Sequence, residues 1–189
     1  VKKIFFVFSA PSGAGKTTLV RYLLKRFPSF RFSVSYTSRP LRGQEVDGVD
    51  YHFVKTEEFR DLIQKDFFVE WEEVYPDHFY GTPKQTVLEC MASNTVLLLD
   101  LDVQGGLEFK KKFPSQTLAI FVGVSSLEIL EERLSKRGTD SDSKIQTRLA
   151  KAVLEIQKAP DFDVLLINDI LEKASEELMQ IMANNGYLS

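Results

Sequence analysis

The run Ser9-Ala10-Pro11-Ser12-Gly13-Ala14-Gly15-Lys16-Thr17-Thr18 is suited to gripping phosphate. Its glycines let successive backbone N–H groups turn toward the same phosphate oxygens, and a helix starting there adds a favourable field. Ser12, Gly13, Ala14, Gly15, Lys16, Thr17 and Thr18 form the expected cradle. Lys16 is spaced to reach the outer phosphates of a nucleoside triphosphate, and Thr17 to offer its hydroxyl to Mg²⁺. One position departs from the usual G-x-x-x-x-G-K-T spacing. Ala10 stands at the first glycine, which a small residue can hold if the turn keeps negative φ. Such a loop does not by itself separate a kinase from a hydrolase.

A carboxylate belongs at the end of a neighbouring strand, and Leu97-Leu98-Leu99-Asp100-Leu101-Asp102 supplies it. Asp100 is placed to order Mg²⁺, directly or through water. Asp102, two residues on in extended chain, points the same way. Gln104-Gly105-Gly106 then allows a tight approach of backbone to ligand.

A second group of residues suits an acceptor. Arg39 and Arg42 flank Pro40-Leu41, and with Ser35 and Tyr51 they form a clamp for a phosphate dianion. A solvated surface arginine pair would explain the same spacing. Glu70 sits between bulky apolar residues in Phe68-Val69-Glu70-Trp71. A carboxylate buried there needs donors, and the N1–H and N2–H edge of guanine offers two in parallel, which adenine does not. Thr82 is placed to contact a base, and Tyr80 to contact phosphate or wall the pocket. Trp71 is expected in the core rather than against the base. Arg133 and Arg137 share a helix face, with Arg148 beyond a polar break at Gly138-Thr139-Asp140. Arginines brought over a transferring phosphoryl group stabilise its charge, and a lid excludes competing water. Pairing with Glu128, Glu131 or Glu132 on an exposed helix is the alternative.

These residues need a scaffold. Apolar runs near residues 4, 96, 118 and 164 alternate with helical stretches, which predicts a parallel sheet with helices on both faces. Residues 32–36 read as a further strand. Helices are expected at 17–26, at 56–65 with Thr56 as cap, and at 84–92, 127–137, 141–158 and 174–183. The stretch 33–83 breaks the rhythm and reads as an inserted lobe, with 67–71 and 74–80 short, aromatic and broken by Pro76.

The chain has 189 residues, which fits one domain able to bury its own core. The 24 basic residues against 27 acidic ones give a net charge of -3, which argues against a polycation that wraps nucleic acid. One cysteine, Cys90, excludes an intrachain disulfide and a cysteine zinc cage. The apolar run Ile4–Phe8 is far short of the roughly 20 residues of a membrane span. A cytoplasmic protein without membrane or nucleic-acid partners is expected, as monomer or homodimer.

Taken together, these stretches resemble the guanylate kinase family. The resemblance is carried by the phosphate loop, Thr37-Ser38-Arg39-Pro40-Leu41-Arg42, Glu45-Val46-Asp47-Gly48-Val49-Asp50-Tyr51-His52-Phe53-Val54, Phe68-Val69-Glu70-Trp71, Tyr80-Gly81-Thr82, Leu99-Asp100-Leu101-Asp102-Val103-Gln104-Gly105, residues 133–140 and Asn168-Asp169. They run in family order along nearly the whole chain. The resemblance implies an α/β P-loop NTPase fold with a mostly parallel sheet flanked by helices. It places the core at 1–32, 84–126 and 150–189, an inserted mixed lobe for GMP at 33–83, and a helical lid at 127–149. It implies transfer of the γ-phosphoryl group of ATP to GMP with Mg²⁺, with dGMP as an expected second acceptor.

By the same resemblance, Arg39, Arg42, Tyr51 and Tyr80 hold the GMP phosphate, and Ser35, Glu70, Thr82 and Asp102 face the base. Thr17 and Asp100 place the metal, Asn168 lies by adenine, and Arg133, Arg137 and Arg148 close over the phosphoryl groups with Lys16. Gln44 and a longer 74–79 segment depart from the family form. A kinase for another nucleotide remains an alternative, as does a scaffold domain without catalysis. Such scaffolds commonly lack an intact phosphate loop, which this chain keeps.

Overall fold

Strand β1, Phe5–Ser9, is buried along its whole length in the computed structural model, which describes residues 2–136 and 142–188. Neighbours in a strand point to opposite faces. Phe6 and Phe8 therefore pack with Leu19, Leu23, Leu178 and Met182 on one side, while Phe5 and Val7 pack with Val87, Cys90 and Phe109 on the other. The first set comes from α1 (Lys16–Arg26) and α7 (Leu171–Asn184), the second from α3 (Lys84–Ser93) and α4 (Val103–Lys112). An apolar run without alternation is what a strand covered on both faces requires.

β1 lies at the centre of a five-stranded sheet. From one edge its order is β2 (Arg31–Phe32), β7 (Leu97–Leu101), β1, β8 (Thr117–Gly123) and β9 (Val164–Ile167), and every pairing is parallel. The register sets Phe8 beside Asp100 and Ser9 beside Leu101. The phosphate loop leaving β1 thus emerges next to the carboxylate that ends β7, in the crevice beyond the strand ends where α/β sheets bind ligands.

The inserted lobe has its own sheet, ordered β4 (His52–Phe53), β3 (Tyr36–Thr37), β6 (His78–Pro83) and β5 (Phe68–Tyr75). Helix α2, Thr56–Gln64, packs on it through Phe59, which stacks on Phe68 and Phe79. Gly81 makes this possible, because a Cβ there would stand 2.8 Å from the Phe68 ring. The remaining helices are α5 (Leu127–Lys136) and α6 (Asp142–Ile156), packed on each other. Among the described residues, no helix is long and apolar enough to cross a membrane.

Several sequence expectations need correction. Residues 32–36 do not form one strand: β2 belongs to the large sheet and β3 to the small one, with the break at buried Ser33 and Ser35. The 67–80 stretch, broken at Pro76 in the sequence reading, is one antiparallel hairpin with register shifts between Phe68 and Glu70 and between Glu73 and Tyr75, its turn carried by Asp77 in left-handed conformation. Thr56 is the first helical residue rather than the cap, which is Lys55. Trp71 is 42% exposed on the hairpin's outer side. Gly105 and Gly106 lie inside α4, a helix absent from the sequence expectations, whose cap is Asp102. Two glycines near the start of a helix weaken the helical pattern in sequence.

Candidate active site

The phosphate loop is built by its glycines. Gly13 and Gly15 have φ of +96° and +88°, a region open to glycine at no steric cost. A Cβ on Gly15 would also lie 2.3 Å from Asn168 Nδ2. Ala10 tolerates its place because it avoids that region; among the described residues, the non-glycines with positive φ are Asp66, Asp77 and Asn94. Helix α1 begins at Lys16, so its unpaired N–H groups face the loop.

Lys16 Nζ lies 2.5 Å from Asp100 Oδ1 and donates to Leu101 O at 2.6 Å. Thr17 Oγ1 donates to Asp100 Oδ2 at 2.9 Å. The β1–β7 register makes this triad, since it sets the end of β7 beside the loop. Asn168 is buried behind the loop and its Nδ2 donates to Ala14 O at 2.7 Å. Its Oδ1 is buried with no hydrogen-bond partner among the described residues. Arg133 donates to Asn168 O at 2.8 Å, to Asp169 O at 3.0 Å and to Ala14 O at 3.5 Å. In this conformation it clamps loop to loop. Arg148 Nη1 donates to Ser12 Oγ at 3.1 Å. Thr18 lines the cleft as well. Arg137 and the 138–140 break lie outside the described residues.

Across the cleft, the β5–β6 register pairs Glu70 with Thr82. Both are buried, and Thr82 Oγ1 donates to Glu70 Oε1 at 2.5 Å. Burial lifts the Glu70 carboxyl to about 7; the Thr82 hydrogen bond works against this, and the charge of Asp102 adds to it. Asp102 accepts from Gly105 N at 3.0 Å and Gln104 N at 3.3 Å, so it caps α4 while lining the cleft. Ser35 is buried, and its Oγ finds no hydrogen-bond partner among the described residues. An unsatisfied buried hydroxyl beside a cleft is a place for a ligand's polar atom.

Arg39 is buried with the rings of Tyr51 and Phe53 over its guanidinium, 4.9 and 5.4 Å from their centroids. Burial works against its charge, but the hydrogen-bonded Glu45 outweighs that and raises its basicity. Its Nε donates to Tyr80 Oη at 3.0 Å. Arg42 is exposed at the rim. The cleft has a volume of about 230 Å³, and its walls include the phosphate loop, Ser35, Arg42, Tyr51, Glu70, Tyr80, Asp100, Asp102 and Arg148. Thr82 is hydrogen-bonded to Glu70 in that wall, and Arg39 lines an adjoining cavity with Arg42, Tyr51 and Tyr80.

Four residues of this region escaped the sequence reading as site groups. Lys151 donates to Val74 O at 3.2 Å, stands over the Tyr75 ring at 4.6 Å, and approaches Glu155 at 3.6 Å. It joins α6 to the hairpin. Their spacing with Arg148 is the helical i, i+3, i+7 stripe, a signal present in the sequence. Gly105 is the third: a Cβ there would lie 2.6 Å from Glu70 Oε2 and 2.8 Å from Asp102 Oδ1. Glu45 is the fourth, visible in sequence only as part of the 45–54 run.

Two expected results arise here. Gly105→Ala should displace the two carboxylates and raise KM for the acceptor about tenfold, the scale of one lost charge-assisted hydrogen bond. KM for the triphosphate should stay within about twofold, which initial-rate kinetics on both substrates will check. The second concerns pH. A base that donates two N–H groups needs ionised Glu70, so binding expels the proton that the empty site holds below pH about 7. Acceptor affinity should therefore be highest above that pH and fall below it, by up to about tenfold per unit. A nucleotide phosphate also titrates near about 6. Glu70→Gln keeps that contribution and should remove only the one near 7 from the KM–pH profile.

The family model described as guanylate kinase matches residues 2–185. The guanylate kinase of Chlorobium luteolum is 48% identical over 183 residues, covering 97% of this chain and 91% of that protein. The guanylate kinase of Bacteroides thetaiotaomicron is 46% identical over 176 residues, covering 93% and 86%. The crystal structure of guanylate kinase from Anaplasma phagocytophilum aligns with a TM-score of 0.78 at 26% identity, over all of this chain and 88% of that one.

Proposed function

This chain belongs to the guanylate kinase family, and from that premise we propose how its own residues divide the work of the reaction. The protein is an ATP:GMP phosphotransferase that converts ATP and GMP to ADP and GDP.

In our reading, Ser12 to Thr18 cradle the ATP phosphates, with Asn168 setting the loop from behind and lying by adenine. Lys16 offsets charge on the β- and γ-phosphates. Arg39, Arg42, Tyr51 and Tyr80 hold the GMP phosphate. Glu70 accepts from guanine N1–H and N2–H, with Thr82, Ser35 and Asp102 completing the base contacts. Arg133, Arg137 and Arg148 close over the phosphoryl groups. The subregions follow the same scheme, with the core at 1–32, 84–126 and 150–189, the GMP lobe at 33–83 and the lid at 127–149.

An oxygen of the GMP phosphate attacks the γ-phosphorus in line. The bond from that phosphorus to the β–γ bridging oxygen breaks, and ADP leaves with the electron pair. The attacking oxygen is already largely deprotonated near neutral pH, so no general base is needed. Catalysis rests on orientation and electrostatics.

Mg²⁺ suits the triphosphate end of the cleft. Thr17 Oγ1 and Asp100 Oδ2 are hard oxygen donors 2.9 Å apart, and Mg²⁺ takes one or two protein oxygens beside substrate phosphates. Thr17 and Asp100 would hold it, the latter directly or through water. Bound there, it offsets negative charge on the ATP phosphates. We place the enzyme in the cytoplasm with its two nucleotides, as monomer or homodimer, without nucleic-acid or membrane partners.

The observation that carries the guanine assignment is buried Glu70, paired with Thr82 and facing the same cleft as the phosphate loop. The test is coupled ADP production with GMP, dGMP, AMP, CMP and UMP under matched conditions. Turnover should be restricted mainly to GMP and dGMP, because the base readers do not need the ribose 2′-hydroxyl. Equal use of AMP would remove the guanine assignment. Omitting Mg²⁺ in the presence of EDTA should abolish turnover.

A further inference from the structure

An arginine carries five N–H donors in a planar fork. Four of those on Arg39 are engaged inside the protein. Nε donates to Tyr80 Oη at 3.0 Å, and Nη1 to Pro40 O at 2.9 Å and to Glu45 Oε2 at 2.6 Å. Nη2 donates to Glu45 Oε1 at 2.6 Å. Glu45 thus takes the end of the fork with both oxygens. The donor left over is the second N–H of Nη2. In a planar guanidinium it lies on the edge shared with Nε, parallel to the bond that reaches Tyr80. Tyr80 Oη accepts on that edge, so its own proton is free to point outward. Two donors, one N–H and one O–H, then stand side by side near Arg42.

We propose that Glu45 is a positioning residue for the acceptor phosphate. It holds Arg39 by the end of the fork so that the opposite edge, with the Tyr80 hydroxyl, faces the phosphate of GMP. The proposal rests on the reading of this cleft as the GMP site. Glu45 also accepts from the Arg42 backbone N–H at 2.9 Å, so one carboxylate orders both arginines of the clamp. A swinging arginine attracts any anion, whereas one fixed by four hydrogen bonds presents a single direction. The tyrosine and phenylalanine rings over its face complete that restraint.

The effect of the Glu45 charge changes sign with Arg39. Next to Arg39, the Glu45 carboxylate orients a donor and its charge is neutralised. Without Arg39, the same carboxylate simply repels a phosphate dianion. Glu45→Gln should therefore raise KM for GMP about tenfold, through loss of charge-assisted orientation, with KM for ATP within about twofold. In an Arg39→Met background, the same Glu45→Gln change should lower KM for GMP relative to Arg39→Met alone. A mere structural brace would worsen both backgrounds, or lower Tm without separating the two substrates. Either pattern overturns the proposal.

Glu45→Asp supplies a second test if Arg39→Met does not fold. It keeps the charge but is one methylene too short to span both Nη atoms, so KM for GMP should fall between wild type and Glu45→Gln. A wild-type KM in Glu45→Asp would show that the two-point grip is not needed and would sink the proposal. Failure of the underlying site reading looks different, because the wild-type enzyme would then fail to use GMP at all.

Discussion

Replacing Lys16 by methionine should lower kcat/KM for ADP formation by about a thousandfold, close to 4 kcal/mol of transition-state stabilisation. The size follows from where the ammonium sits. It is held between Asp100 Oδ1 and Leu101 O at the mouth of the phosphate loop, so its position is set before ATP arrives. A preset charge acts on the transferring phosphoryl group without reorganisation, which is where electrostatic catalysis gains most. Methionine keeps the apolar stem of lysine as far as its ε position and removes the ammonium, with its charge and its hydrogen bond to Leu101 O. It leaves Asp100 without its cation, though still hydrogen-bonded by Thr17, so Tm should fall while unfolding stays cooperative. The decisive readings are single-turnover rate and GMP binding. The rate should collapse while GMP binding, which uses the other wall of the cleft, changes less than about threefold. Full activity in this variant would remove the phosphate-transfer role of Lys16.

Glu70→Gln should lower kcat/KM for GMP by about a hundredfold or more, and most of the preference for GMP over AMP should disappear with it. The substitution is nearly isosteric, so the effect is chemical. A carboxylate offers two acceptors to two parallel guanine donors; the amide replaces one with a donor and sets N–H against N–H. Thr82, which gives its proton to Glu70 Oε1 at 2.5 Å, can still donate to the amide oxygen. That locks the amide nitrogen toward the ligand. Stability moves the other way. A carboxyl whose folded value is raised to about 7 costs folding free energy above its unfolded range, and that cost fades as pH falls below about 7. The glutamine variant should therefore match or exceed wild-type Tm at pH 8 while losing selectivity. Loss of both together would point to misfolding rather than to base recognition.

The parts of this site legible in sequence are those that depend on local order. The phosphate loop follows from a strand, two glycines, a lysine and a threonine in consecutive positions. The Asp100 role follows from an apolar run ending in a carboxylate. Glu70 is legible because a charge between Phe68, Val69 and Trp71 calls for a partner, although the same pattern wrongly suggested a buried Trp71. That residue stands just past the buried run Phe68-Val69-Glu70, where the hairpin comes out to solvent.

What stayed hidden depends on tertiary register. Nothing near Gly105 in the sequence says that two carboxylates will crowd its Cα. Nothing near Lys151 says that the hairpin carbonyl of Val74 will meet it. Arg133 illustrates a middle case. Its helix and its neighbourhood to the phosphate loop were foreseeable, but its grip on the carbonyls of Asn168 and Asp169 needs α5 and the 168–169 turn brought together.

The pairing of β1 also bears on how the molecule comes into being. Residue 5 lies beside residues 97 and 117 in the sheet, whereas the lobe closes its hairpin between residues 68 and 83. Contacts between distant parts of a chain carry a larger closure cost and form slowly, while local pairings form early. During synthesis the apolar segment Phe5-Phe6-Val7-Phe8 leaves the ribosome long before its partner strands exist. The lobe that reads guanine can collapse on Phe59, Phe68 and Phe79 while the strand that carries the phosphate loop is still exposed. That strand is then the segment most open to aggregation, and the arrival of β7 and β8 ends its exposure. The same pairing step brings Asp100 to Lys16, so burial of the vulnerable strand and completion of the ATP end coincide.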